Sequence, residues 1–215
     1  MKIFNDAVFH ALSRFRLREK ESGEFTRIRS RGRTFHVRAF EAPGAGGLCL
    51  MDMRAMAGLM RMETAVFSPT GLDGPLFSMD AISAFGRDTL ILELYDATLS
   101  HPDFSALREV NACYAFLPDY APGPQWYDSL RLPVSARKRC RGRRDELALF
   151  AQDFAERYAM LLANCPACDE TEKRRCNAVF VDGLLKNGGP AIEQFRALLG
   201  EEKAAEFLRK VMFRT

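Results

Sequence analysis

The sequence predicts an α+β fold, a three-layer α/β/α sandwich with a central antiparallel sheet. Strand-like stretches joined by short loops follow one another from Thr34 to Tyr95, and helix-like stretches fill the chain after His101. Several strands are apolar at odd and even positions alike, among them Leu48-Cys49-Leu50-Met51 and Leu90-Ile91-Leu92. Such runs are expected where both faces of a sheet are covered. No internal repeat and no low-complexity linker interrupts the chain, so residues 1–215 are read as one domain.

Taken in order, Phe4, Ala7, Val8, Ala11, Leu12 and Phe15 recur at helical spacing and predict an amphipathic helix over 4–20. Arg14, Arg16, Arg18 and Lys20 would then crowd its C-terminal end, where cations complement the dipole. Strands are predicted at 34–40, 48–53, 59–67, 76–84 and 89–95, a meander of five. Phe104, Leu107, Val110 and Tyr114 mark a helix. The stretch from Leu117 to Pro133, with the only tryptophan at Trp126, is rich in Pro and Gly and reads as an irregular crossing segment. Asp145 and Thr171 are candidate caps of two further helices, and Pro190 suits the first position of a helix ending at Gly200. A last helix runs from Glu201 to Phe213 with Ala204, Phe207, Leu208, Val211 and Met212 on its apolar stripe.

At 215 residues, 47% hydrophobic and 27% charged, the composition is that of a globular protein. The start of the sequence shows no signal-peptide pattern, and no apolar run reaches the ~18 residues of a membrane span, so a cytoplasmic location is the expectation. The net charge of +3 is unevenly spread, with basic runs at Arg14–Lys20, Arg27–Arg33 and Arg137–Arg144. Such runs suit an acidic partner, an anionic ligand or a nucleic acid, or form a solvated surface.

The candidate chemistry centres on the hairpin 59–84. A turn about Gly71 and Leu72 would set Glu63 directly opposite Asp80, with their Cβ atoms about 4.5–5.5 Å apart on one face. On a covered face, desolvation and like charge would both raise a carboxyl pKa and make a usable proton donor. The structural alternative pairs one acid with Arg61 or another arginine. Cys165-Pro166-Ala167-Cys168, with Cys176 and Cys140 at a distance, lacks the second close pair of a four-thiolate zinc site and reads as a turn between helices. His10, His36 and His101 are scattered over different elements and assemble no triad. Gly44-Ala45-Gly46-Gly47 lacks the lysine and the strand-to-helix context of a phosphate loop. No aromatic residues are interleaved with the basic run at 137–144, which argues against a base-stacking surface.

At Pro75-Leu76-Phe77-Ser78-Met79-Asp80, after a strand ending Val66-Phe67-Ser68-Pro69, the chain resembles the ferredoxin-dependent bilin reductases, the phycocyanobilin-forming members most nearly. A second block of resemblance is Lys186-Asn187, then Leu198-Leu199-Gly200-Glu201-Glu202 and Val211-Met212-Phe213. The resemblance implies a linear tetrapyrrole held between the sheet and the C-terminal helices, with no metal or flavin. It implies electrons from reduced ferredoxin, and protons from side chains and water. Asp80 falls on the family's proton-transfer aspartate, where the related red chlorophyll catabolite reductases place a glutamate. Asn187 falls on an asparagine at the active-site edge, and Thr89 on a hydroxyl residue that touches a propionate. The chain departs at Glu63, where the phycocyanobilin-forming members have a histidine paired with the aspartate, and at Gly188, where many members have an aspartate. It also departs at Ser78, a glycine in the family, and near Ala121, where the propionate-binding arginine is missing.

These readings lead to a reductase of linear tetrapyrroles with Asp80 as proton donor and Glu63 as its coupled partner. A non-catalytic tetrapyrrole binder on the same fold is the second reading. A nucleic-acid binder working through Arg137–Arg144 ranks last.

Overall fold

The computed structural model describes residues 3–30 and 33–215. Arg31 and Gly32, part of one basic run, lie outside them. The centre is an eight-stranded antiparallel sheet, with β1 (Arg18–Lys20), β2 (Arg27–Ser30), β3 (Arg33–Ala42), β4 (Gly46–Ala55), β5 (Met60–Pro69), β6 (Leu76–Ala84), β7 (Arg87–Tyr95) and β8 (Ala136–Cys140). From β3 to β7 each strand pairs with the next in the chain; β1 and β2 share the outer edge of β3, and β8 closes the other edge.

Helices α1 (Ile3–Leu12), α2 (Ser105–Cys113) and α3 (Arg144–Asn164) cover one face. On α3 the residues Leu147, Phe150, Phe154, Tyr158 and Leu162 recur at helical spacing, all are buried, and Phe77 of β6 stacks between Phe154 and Tyr158. Each side chain buried this fully stabilises the fold by about 1.5–3 kcal/mol. The other face lies under α4 (Glu170–Asn187), α5 (Pro190–Leu199), α6 (Glu201–Glu206) and a π-helical turn over Phe207–Met212. The α/β/α sandwich expected from the sequence is the observed architecture. Two buried clusters, one on each side of the sheet, account for the strands without polar alternation.

Several expectations are corrected. The first helix stops at Leu12, not at residue 20, and Arg16 adopts φ 55° after a 3₁₀ turn. Arg18 and Lys20 belong to β1, where Lys20 pairs with Glu41 and Glu19 with Arg38; the period-two basic pattern belonged to an edge strand rather than a helix end. The meander of five strands is the centre of a sheet that also recruits 18–20, 27–30 and the basic run 136–140. The N-cap of α4 is Asp169, whose carboxylate accepts from the Glu172 amide at 2.8 Å, rather than Thr171. Asp145 lies in the first turn of α3, which begins at Arg144.

The Cys165–Cys168 turn connects α3 to α4 and docks on the β5–β6 loop. The Asp73 amide donates to Pro166 O at 2.9 Å and the Cys168 amide to Gly71 O at 3.2 Å. Beside it Lys173, fully buried on α4, donates to Gly74 O at 2.7 Å, to Ala97 O and to the Asp73 carboxylate. This ties α4 to the loop and to the chain leaving β7.

Candidate functional site

The register of the central hairpin decides which side chains meet. β5 and β6 pair Thr64 with Asp80, and Glu63 with Ala81. The expected facing of Glu63 and Asp80 is therefore off by one residue, and a one-residue slip sends a side chain to the opposite face. Glu63 points towards α1. There its Oε2 accepts from the amides of Phe4 at 3.1 Å and Asn5 at 3.0 Å, and its Oε1 lies 3.5 Å from Arg144. It closes the first turn of a helix whose amides have no partner within the helix itself. Burial raises the pKa of Glu63, against the pull of those donors.

Asp80 points the other way, into a cavity of about 310 Å³ between the sheet and α4–α6. That volume is at the lower end of the range for small-molecule sites, about 300–1,000 Å³. Strand alternation builds its floor: Ser78, Asp80 and Ile82 from β6 stand beside Thr89, Ile91 and Glu93 from β7. Phe180, Phe195 and Met212 form the helical wall, and the crossing segment contributes Tyr120, Gln125 and Tyr127. That segment is pinned by Trp126, which donates from Nε1 to Gly188 O at 2.9 Å. The Trp126 ring lies against Gly183, where a Cβ would come within 2.3 Å of it.

Within this cavity Thr64 donates a hydrogen bond of 2.5 Å to Asp80. Asp80 keeps some accessible surface because it opens on the cavity, but protein encloses it. Desolvation pushes its pKa up to about 6; the Thr64 bond acts against this, and the charge of Glu93 adds to it. A carboxyl in this range holds its proton for part of the time near neutral pH. The acid that acts on Asp80 is thus Glu93, one strand over, and not Glu63.

Glu93 is buried and accepts from the Tyr95 hydroxyl and from Arg137, whose Nε lies 2.6 Å away. Arg131 stands 3.6 Å from the same carboxylate. Tyr95 stacks on Phe180 with ring centres 4.0 Å apart; burial and the neighbouring Glu93 push its pKa well above the usual phenol value. Arg139 donates from Nε to the Thr89 hydroxyl at 2.9 Å and lies 3.4 Å from the centre of the Tyr120 ring. Among the described residues it forms no ion pair. Arg137 and Arg139 alternate with Lys138 and Cys140 along β8, so these two residues of the basic run face the cavity.

Of the expected site residues, Asp80 and Thr89 line the cavity. Glu63 is on the opposite face, and Asn187 stands exposed at the end of α4, outside the lining, although Leu184 and Gly189 on either side of it belong to it. Thr64, Glu93, Tyr95, Arg137 and Arg139 escaped the sequence reading. The period-two spacing of Thr89, Ile91, Glu93 and Tyr95, and of Arg137 and Arg139, was the available signal.

No family model and no curated protein matches the chain. Its fold is similar to the crystal structure of phytochromobilin synthase from tomato in complex with biliverdin, with a TM-score of 0.74 and 14% sequence identity. The likeness covers 98% of this chain and 82% of that one.

Proposed function

We propose that the protein is a ferredoxin-dependent bilin reductase that binds a biliverdin-like linear tetrapyrrole in the cavity against β6 and β7. Electrons would come singly from reduced ferredoxin, and Asp80 would supply a proton to the reduced bilin. The observation that carries this reading is a carboxyl with its pKa near 6 on the floor of a mostly apolar cavity. The fold likeness to a biliverdin-bound enzyme supports it. Reducing one double bond takes two electrons and two protons; Asp80 delivers one proton and is recharged from water. Arg139, without an acidic partner among the described residues, offers its guanidinium to a ligand carboxylate.

The test is to titrate the protein with biliverdin, then add reduced ferredoxin and follow the visible spectrum. Binding should shift the spectrum, and reduction should bleach or displace the long-wavelength band. No shift on titration would sink the reading at its first step.

A tetrapyrrole carrier without catalysis is favoured by one observation: the residue beside Asp80 is Thr64, which does not titrate near neutral pH. A carrier would keep its bound spectrum under reduced ferredoxin.

A further inference from the structure

The turns at one end of the sheet display large apolar side chains. Met56 and Leu59, between β4 and β5, are 54% and 65% exposed, and Phe85, between β6 and β7, is 70% exposed. Since Met60 pairs with Ala84, both turns lie at the same end. Phe85 and Met56 adopt φ of 52° and 53°. Phe85-Gly86 occupies the central positions of a two-residue hairpin with φ positive at both, where Asn-Gly is the favoured pair. A phenylalanine in the left-handed region, projecting into solvent, meets no local need of the fold. Strained residues of this kind gather at functional sites.

Arginines surround these tips. Arg54 and Arg61 stand directly opposite each other on β4 and β5, an arrangement that like charge disfavours. Arg87 follows the Phe85 turn, and Arg141 and Arg143 leave the end of β8. All are exposed, and among the described residues none of them forms an ion pair. The acids at this end are largely occupied or set back. Asp88 is held by Arg144 and Ser83, Asp52 has a partner, and Asp145 and Glu146 lie in the first turn of α3. Met, aromatic residues and Arg, with Lys sparse, are the composition of a protein interface rather than of a Lys-rich membrane-binding segment.

The cavity begins just inside the same strand ends. Ile82 and Thr89 line it, three residues before Phe85 and four after. At about 3.3 Å per residue, Phe85 lies about 10 Å along the strand from Ile82. We propose that this end of the sheet is the docking surface for an acidic one-electron carrier protein, with Phe85 and Met56 at its apolar centre and Arg54, Arg61 and Arg87 in the charged ring around it. The proposal rests on the reading of the cavity as a site of reduction, and adds where the donor binds.

Phe85→Asn and Arg61→Glu test it without threatening the fold, because the first installs the favoured turn pair and the second turns a repulsive cross-strand pair into an attractive one. A [2Fe–2S] ferredoxin is the probe, and its affinity for the protein is measured by calorimetry at low ionic strength without bilin. The double variant should raise the Kd at least tenfold while its biliverdin titration matches that of the wild type. An unchanged Kd, or a wild type that does not bind ferredoxin, overturns the proposal. So does Phe85-dependent binding to phosphatidylserine vesicles with ferredoxin affinity unaltered, which would make the surface a membrane contact. If the expected change in Kd appears while biliverdin fails to bind the wild type, the docking surface stands and the reading of the cavity falls.

Discussion

Thr64 and Asp80 face each other across β5 and β6, and the Thr64 hydroxyl donates to the Asp80 carboxylate at 2.5 Å. The bond favours the charged carboxylate, whereas the cavity favours the neutral acid, and the cavity prevails. Asp80→Asn should therefore leave biliverdin binding intact and slow its reduction by about 10²–10⁴-fold, the range of a lost general acid. Single-turnover spectra with reduced ferredoxin are the measurement. Undiminished reduction would remove Asp80 from the mechanism.

The same carboxyl predicts an unusual stability profile. Its pKa is 3.8 for the free side chain and about 6 in the fold, so the folded state binds the proton more tightly. Stability from this group is fully present below about pH 3.8 and is lost as the pH rises through about 6. At about 1.36 kcal/mol per pH unit, the charged form costs the fold about 3 kcal/mol at most. Asp80→Asn should accordingly be more stable than the wild type at pH 8, and the difference should shrink towards pH 5. Urea melts at both pH values would show it.

Glu63→Ala tests the register. Placed on the α1 side, Glu63 should affect stability and not chemistry. We expect a loss of about 1–3 kcal/mol because the Phe4 and Asn5 amides lose their acceptor, with bilin reduction unchanged. A slower chemical step in a fully folded variant would contradict the assignment.

Arg139→Gln should weaken binding of biliverdin by about 10–100-fold, the worth of a charge-assisted hydrogen bond of about 1.5–3 kcal/mol. Biliverdin dimethyl ester, which lacks the carboxylates, should bind wild type and variant alike. Equal losses for both ligands would assign Arg139 to packing on Tyr120 instead.

Lys173→Met leaves Asp73 buried without its cation. Burial pushes the Asp73 carboxyl up, but Leu99, Ser100 and Lys173 together hold its pKa below the usual value. Removing one partner of such a pair costs about 3–5 kcal/mol. The loss should appear as a lower midpoint in urea, with the slope of the transition unchanged.

The layers of the fold were legible because they depend on periodicity. Phe150, Phe154 and Tyr158 announce a buried helix face, and Leu90-Ile91-Leu92 announces a strand covered on both sides. Asp80 was legible because it alternates with Ser78 and Ile82. The partner of Asp80 was not, since register depends on the geometry of the 70–75 loop, where Asp73, Lys173 and Pro166 make bonds from distant parts of the chain. An error of one residue in locating the turn exchanged Thr64 for Glu63. Arg137 and Arg139 were hidden by their own charge: a run of cations reads as surface until an opposed acid, here Glu93, shows that one side of it is inside. The end of α1 was misplaced because alternating arginines continue an apparent helix into β1.

The bond from Glu63 to the first turn of α1 has a consequence for the order of folding. A ten-residue helix is too short to persist alone in water, and this one takes its terminal acceptor from a strand 58 residues further on. Although it is synthesised before β5, this helix should therefore be among the last elements to become ordered, once β5 is laid into the sheet. Val8, buried on that helix, should then give a φ-value near 0 on truncation to Ala, while the β5–β6 hairpin carries the higher values.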